Sequence, residues 1–211
     1  MMNTEWTTFL AKTAINLPAF LAGISFHEFS HAATACLLGD DTAKNDGRLT
    51  LNPISHIDPI GMLCLLFLGF GWAKPVPVNI RNFKHPRFYD ILTSVAGPLS
   101  NFILAIIFFA ALKYFPLALF SPVATVTFIQ ILKAAGTINI MLGVLNLLPI
   151  PPLDGSHILI TFISHRYPQF VNWLYRYSMF ILLFLFMLEP VQYFLHSLIF
   201  NIQNIILQII F

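Results

Sequence analysis

Two histidines and a glutamate stand together in the first apolar stretch of the chain: His27, Glu28 and His31, reading H-E-F-S-H. Ionisable groups are costly inside apolar spans, so each marks a functional position. On a helix, positions i and i+4 share one face, a turn apart, and two imidazoles so placed can reach one Zn²⁺. Glu28 is rotated about 100° from His27. From there it can meet a water activated by the metal without ligating the metal itself. A catalytic zinc takes three protein ligands and leaves a fourth position open, so a third ligand is expected elsewhere. Asp154 is the leading candidate. It follows Pro149, Pro151 and Pro152, which end the preceding helix, and it precedes Gly155. A membrane tolerates such irregular backbone only where it is buried in protein or lines a wet cavity. His56, His157 and His165 compete for the same place.

The elements that must position these groups follow from composition. Of 211 residues, 57% are apolar and only 9% are Asp, Glu, Lys or Arg, against roughly 25% charged in a soluble domain. That excludes a typical cytosolic domain, a disordered chain and a nucleic-acid binder. It predicts an all-α polytopic membrane protein. A span needs about 20 apolar residues. Apolar runs cover about Phe9 to Leu38, closed by Gly39, then Ile91 to Leu112, Val123 to Leu148 and about Tyr177 to Leu188. The run Pro59 to Trp72 is short and contains Gly61, Gly69 and Gly71. The expected architecture is a helical bundle with a re-entrant or irregular loop region between the first two full spans. The tail Val191 to Phe211 carries an apolar helical face and either lies in the interface plane or packs as a last span. Cys36 and Cys64 read as small buried hydrophobes. There is no internal repeat and no cleavable leader pattern. Residues 1–211 read as one domain, with a core over about 9–155 and C-terminal helices over about 170–211.

Metal geometry constrains the topology. His27 and His31 sit toward the end of the first span, and Asp154 follows the end of Val123 to Leu148. One ion can hold all three only if those two helices run parallel, which needs an odd number of crossings between them. Ile91 to Leu112 supplies one, so Pro59 to Trp72 should not cross. Lys44, Arg48, Lys74, Arg81, Lys84, Arg87, Arg166 and Arg176 then share the ligand side, against Lys12 and Lys113 on the other. That asymmetry puts the ligands toward the cytoplasm.

Several segments together carry a resemblance. H-E-F-S-H, A-G-P-L-S-N at Ala96 to Asn101, and L-N-L-L-P-I-P-P-L-D-G at Leu145 to Gly155 resemble the site-2 protease family of intramembrane zinc metalloproteases. G-R-L-T-L-N-P-I-S-H-I-D-P at Gly47 to Pro59 and G-W-A-K-P-V-P-V-N at Gly71 to Asn79 look like loops of its compact bacterial branch, which lacks PDZ and CBS domains. The resemblance implies one Zn²⁺ per chain on His27, His31 and Asp154, with Glu28 as general base. It implies Asn146 as oxyanion donor, and a loop around Asn52 and His56 beside the metal or the substrate. The implied partners are transmembrane protein substrates in the lipid bilayer of a bacterial plasma membrane. Arg48 to Asn52 alternates in strand fashion and is expected to pair with an extended substrate. Two other readings stay open: an inactive zinc-binding membrane scaffold, and a transporter or proton relay using the intramembrane His and Asp.

Overall fold

The computed structural model describes residues 2–68, 71–115 and 121–211, with side chains throughout except those of 2–6, 8–12 and 68. Gly69 and Phe70, which fall in the expected re-entrant run, lie outside the described residues.

The described residues form eight α-helices: α1 (Met2–Leu37), α2 (Thr42–Asn45), α3 (Pro59–Leu68), α4 (Pro86–Tyr114), α5 (Pro122–Asn146), α6 (Gly155–Ile163), α7 (Pro168–Met187) and α8 (Glu189–Ile210). No strand forms among them; one isolated antiparallel bridge joins Ile57 to Ala73. Proline occupies the first turn of α4, α5, α7 and α8, where its missing N–H costs nothing. α1 stops at Gly39, whose φ of 102° is a left-handed conformation that glycine adopts without strain.

α1, α4 and α5 make the central layer, packed mutually. α1 runs antiparallel to α4: His31 meets Thr93, while the earlier His27 meets the later Asn101. α5 returns antiparallel to α4, with the Phe109 and Phe102 rings of α4 seated against Gly136 and Gly143 of α5. α1 and α5 are therefore parallel, as a shared ion requires.

The short apolar run does not cross. α3 has 10 residues, about 15 Å of helix against roughly 30 Å of hydrocarbon. Asp58 caps its start by accepting the Gly61 N–H at 2.8 Å. Its two flanks then meet: Lys74 N–H donates to His56 O at 2.9 Å beside the Ile57–Ala73 bridge. A Cβ on Gly61 would lie 2.2 Å from Trp72 O, and one on Gly71 would lie 2.2 Å from Gly61 O. Only two glycines let the chain leave and return at one point.

α8 resolves the tail. It packs on α5 and α4 through Leu195 and Ile206, which join Ala105, Phe109, Ile140 and Val144 in the buried apolar core. Thr137 of α5 donates to Gln203 at 3.0 Å, and Lys113 Nζ donates to Ile210 O. α8 thus begins at the end holding His27, His31 and Asp154 and finishes at the Lys113 end, where α1 begins. α7 joins α6 to α8, so both its ends attach toward the ligand end. Its outer surface keeps Phe170, Trp173, Phe180, Phe184 and Met187 exposed, as a lipid-facing helix does. Four helices, α4, α5, α7 and α8, are long and apolar enough to cross a membrane.

Three sequence expectations change. The penultimate helix begins at Pro168, nine residues before Tyr177, because Arg176 sits exposed on its outer face and need not interrupt it. Arg48 to Asn52 is not extended: the chain bends at Leu49 and Thr50, with Thr50 N–H on Arg48 O. Lys133 lines a cavity with Leu112, Ile129 and Phe211, so the end away from the ligands holds three basic residues, Lys12, Lys113 and Lys133, against eight.

Candidate metal centre

Helical spacing puts the His27 and His31 rings on one face of α1, pointed at α4. They fit there because α4 has Gly97 opposite them. A Cβ at that position would lie 2.4 Å from His31 Nε2 and 2.7 Å from His27 Cε1. Each ring is held by its other nitrogen. His27 Nδ1 lies 2.7 Å from Asn101 Oδ1, and His31 Nδ1 lies 2.7 Å from the Thr93 carbonyl. Both Nε2 atoms then converge, 3.0 Å apart.

Asp154 arrives from the far side. Beyond α5 the chain turns through Leu147–Leu153, and the Pro151–Pro152 peptide is cis. Gly155 packs against the end of α5, where a Cβ would lie 2.2 Å from Leu147 O. Asp154 stands at the start of α6 without capping it. Its carboxylate points instead at the imidazoles, with Oδ2 3.0 Å from His27 Nε2 and 3.3 Å from His31 Nε2.

The donor set fits a cation. A carbonyl oxygen only accepts, so His31 carries its proton on Nδ1 and presents a lone pair at Nε2. Asp154 Oδ2 is buried and has no hydrogen-bond donor. Acceptors facing one another in a buried space are unfavourable unless a positive charge lies between them. Tetrahedral ligands at about 2.0–2.2 Å from zinc sit about 3.3 Å from one another, close to the observed separations. Among the described residues this is the one group of three such side chains able to share an ion.

Glu28 lies outside that triangle and is 8% exposed. Its Oε2 accepts the Val76 N–H at 2.9 Å. Val76 belongs to an extended strap, Lys74 to Asn79, tied down along its length. Arg48 donates to Lys74 O at 2.7 Å, and Asp40 Oδ2 accepts the Asn79 N–H at 2.7 Å. Burial alone would raise the Asp40 carboxyl. Hydrogen bonds from Thr42, the Asn79 backbone and Asn82 outweigh it and hold the group below the ordinary carboxylate range.

The other expected residues make contacts of their own. Asn146 is the last residue of α5, and its Nδ2 donates to Leu142 O at 3.0 Å within its own helix. Asn52 is exposed and accepts the Ile54 N–H, capping the 3₁₀ turn Pro53–His56. His56 is buried, and its Nε2 meets Thr50 O at 2.8 Å. His157 pairs with Asp90 of α4 at 3.1 Å, and His165 is exposed in the turn after α6. Thr93, Gly97 and Val76 also shape the centre, the last two having entered above only as members of longer motifs. For two of them the side chain gave no signal, because Thr93 acts through its backbone carbonyl and Val76 through its backbone N–H, which every residue but proline has.

Comparison with known proteins adds a second line. Residues 116–186 match the model of Peptidase family M50. The chain is 47% identical over 145 residues to YwhC of Bacillus subtilis, described as a candidate zinc metalloprotease, covering 66% of this chain and 64% of that one. It is 33% identical over 144 residues to Rip2 of Mycolicibacterium smegmatis, described in the same words, covering 66% and 53%. A third such protein, MJ0611 of Methanocaldococcus jannaschii, is 30% identical over 146 residues, covering 69% of each chain. The match thus spans less than two-thirds of the length of YwhC and about half that of Rip2. No solved structure matches the chain.

Proposed function

The chain belongs to the M50 family of peptidases, the site-2 protease family, and from that premise we propose that it is a zinc metallopeptidase cutting peptide bonds in or near transmembrane segments. The observation that carries this reading is the convergence of two imidazole nitrogens and one carboxylate oxygen at 3.0 to 3.3 Å, with a separate buried carboxylate one residue from the first ligand. Zinc held by His27, His31 and Asp154 would supply a Lewis acid that polarises the scissile carbonyl and acidifies the attacking water.

The remaining work falls to the chain's own groups. Glu28 accepts the proton of the attacking water and returns it to the leaving amine. The Val76 N–H occupies Oε2, which orients the carboxylate and leaves Oε1 to take the proton. Substrate amides in a membrane helix are bonded to one another, so the cut segment unwinds before its carbonyl reaches the site. The eight basic residues around the ligand end favour a cytoplasmic orientation of the centre in a bacterial plasma membrane.

The separate position of Glu28 disfavours an inactive scaffold, which needs ligands but no base. The test is Glu28→Gln in purified protein with a helical reporter substrate. Zinc content stays at the wild-type level, while cleavage falls by about 10²–10⁴. Undiminished cleavage would remove Glu28 from the mechanism.

A further inference from the structure

Two buried amides, oriented by two backbone carbonyls, form a directed chain that ends on the first metal ligand. Asn139 of α5 and Asn101 of α4 are both fully buried. Asn139 Nδ2 donates to Ala135 O at 2.9 Å. That oxygen is a backbone carbonyl and can only accept, so the Asn139 amide is fixed with Oδ1 facing α4. Asn101 Nδ2 then donates twice, to Asn139 Oδ1 at 3.0 Å and to Gly23 O of α1 at 3.0 Å. A flipped Asn101 would set its oxygen against two other oxygens. Its Oδ1 is thereby left toward His27 Nδ1, 2.7 Å away. An acceptor at that distance holds the ring proton on Nδ1 and leaves the Nε2 lone pair for the ion.

We propose that Asn101, oriented by Asn139, is a positioning residue that fixes the tautomer and ring angle of His27 for metal binding. His31 needs no such device, because the Thr93 carbonyl has only one possible polarity. His27 leans on a side chain that could turn either way, and Asn139 removes that freedom. The relay runs α5 to α4 to α1, so metal affinity depends on the packing of the whole central layer. Gly23 is part of it: a Cβ there would lie 3.0 Å from Asn139 Oδ1 and 2.8 Å from Leu142.

The inference rests on the zinc reading, and the experiment separates the two. Zinc affinity is measured by chelator competition on full-length protein in detergent for the wild type, Asn101→Leu, Asn101→Asp and Asn139→Leu. The thermal midpoint of each zinc-free protein serves as the folding check. Asn101→Leu fills the same space without an acceptor and should weaken zinc binding by about 10–100-fold. Asn101→Asp keeps an acceptor opposite Nδ1–H but sets its second oxygen against Asn139 Oδ1 and Gly23 O, so it should recover only part of that loss. Asn139→Leu leaves Asn101 free to flip and should give a smaller loss; it also reads the relay if Asn101→Leu does not fold. Two folded leucine variants with wild-type affinity would overturn the relay while the zinc reading stands. A wild-type protein that binds no zinc would overturn both.

Discussion

Gly97 decides whether the two imidazoles can share an ion at all. Replacing it with alanine places a methyl 2.4 Å from His31 Nε2 and 2.6 Å from His31 Cε1, closer than any real contact allows. One ring or the helix must move. Gly97→Ala should therefore lower zinc content well below one per chain while leaving helical circular dichroism unchanged; metal analysis of the pure protein checks it. At this scale the sequence was legible where function rests on helix periodicity. His27 and His31 could be read as one face because i and i+4 coincide on any helix, with Glu28 turned about 100° from it. Asp154 could be read because three prolines broke the preceding helix in front of it. Asn146 shows where such reading stops. Its position beside the break was readable, but whether its amide turns to the site or back to Leu142 O depends on one side-chain torsion. Sequence position does not set that torsion. The role of Asn101 was hidden for a related reason: a buried amide has several possible partners, and the partner here is three helices deep in the packing.

Among the elements, the strap Lys74 to Asn79 carries the backbone N–H that meets Glu28, and Asp40 anchors its far end. Asp40→Ala would strip the acceptor from Asn79 N–H, Asn82 Nδ2 and the Thr42 hydroxyl. The expected cost is about 1–3 kcal/mol for the orphaned donors, seen as faster proteolysis between residues 74 and 85. Its pH dependence has a definite sign. The folded carboxyl lies below its ordinary value, so the anchor is at full strength above about pH 4 and fails as the pH falls through the lowered folded value. Protection of the strap should vanish only in acid, and protection unchanged across that range would show that the carboxylate is not the anchor. The non-crossing of α3 was readable from a run too short to span, its glycines, and the parity of crossings that shared ligands demand. The apolar run from about Tyr177 fell short of the start of α7, because the residues before it, Arg176 among them, are more polar. Pro168, a first-turn proline, was the better signal, since an exposed arginine on a helix face interrupts nothing.

For the whole molecule, the direction of α8 fixes where the chain ends. Thr137–Gln203 and Lys113–Ile210 run it back to the end where α1 starts. Reporters fused ahead of Met1 and behind Phe211 should fall on the same side of the membrane. A reporter inserted in the turn at residues 164–167, between α6 and α7, should fall on the opposite side with the metal ligands. A C-terminal reporter on the ligand side would mean that α7 crosses instead. This order was closed to sequence reading because an apolar face with polar residues opposite suits an interface helix and a packed span equally. Only the complementary face on α4 and α5 decides, and that face exists only once the bundle has formed.

Both imidazoles hang from a single helix, His31 from Thr93 O and His27 from Asn101 Oδ1. A residue inserted or deleted between those two points would swing one attachment about 100° around α4 and shift it about 1.5 Å along the axis. No rotamer of the stranded imidazole could follow that swing. The stretch from Thr93 to Asn101 can therefore drift in the identity of its lipid-facing residues over evolutionary time, but its length is locked to the four-residue interval between the two histidines.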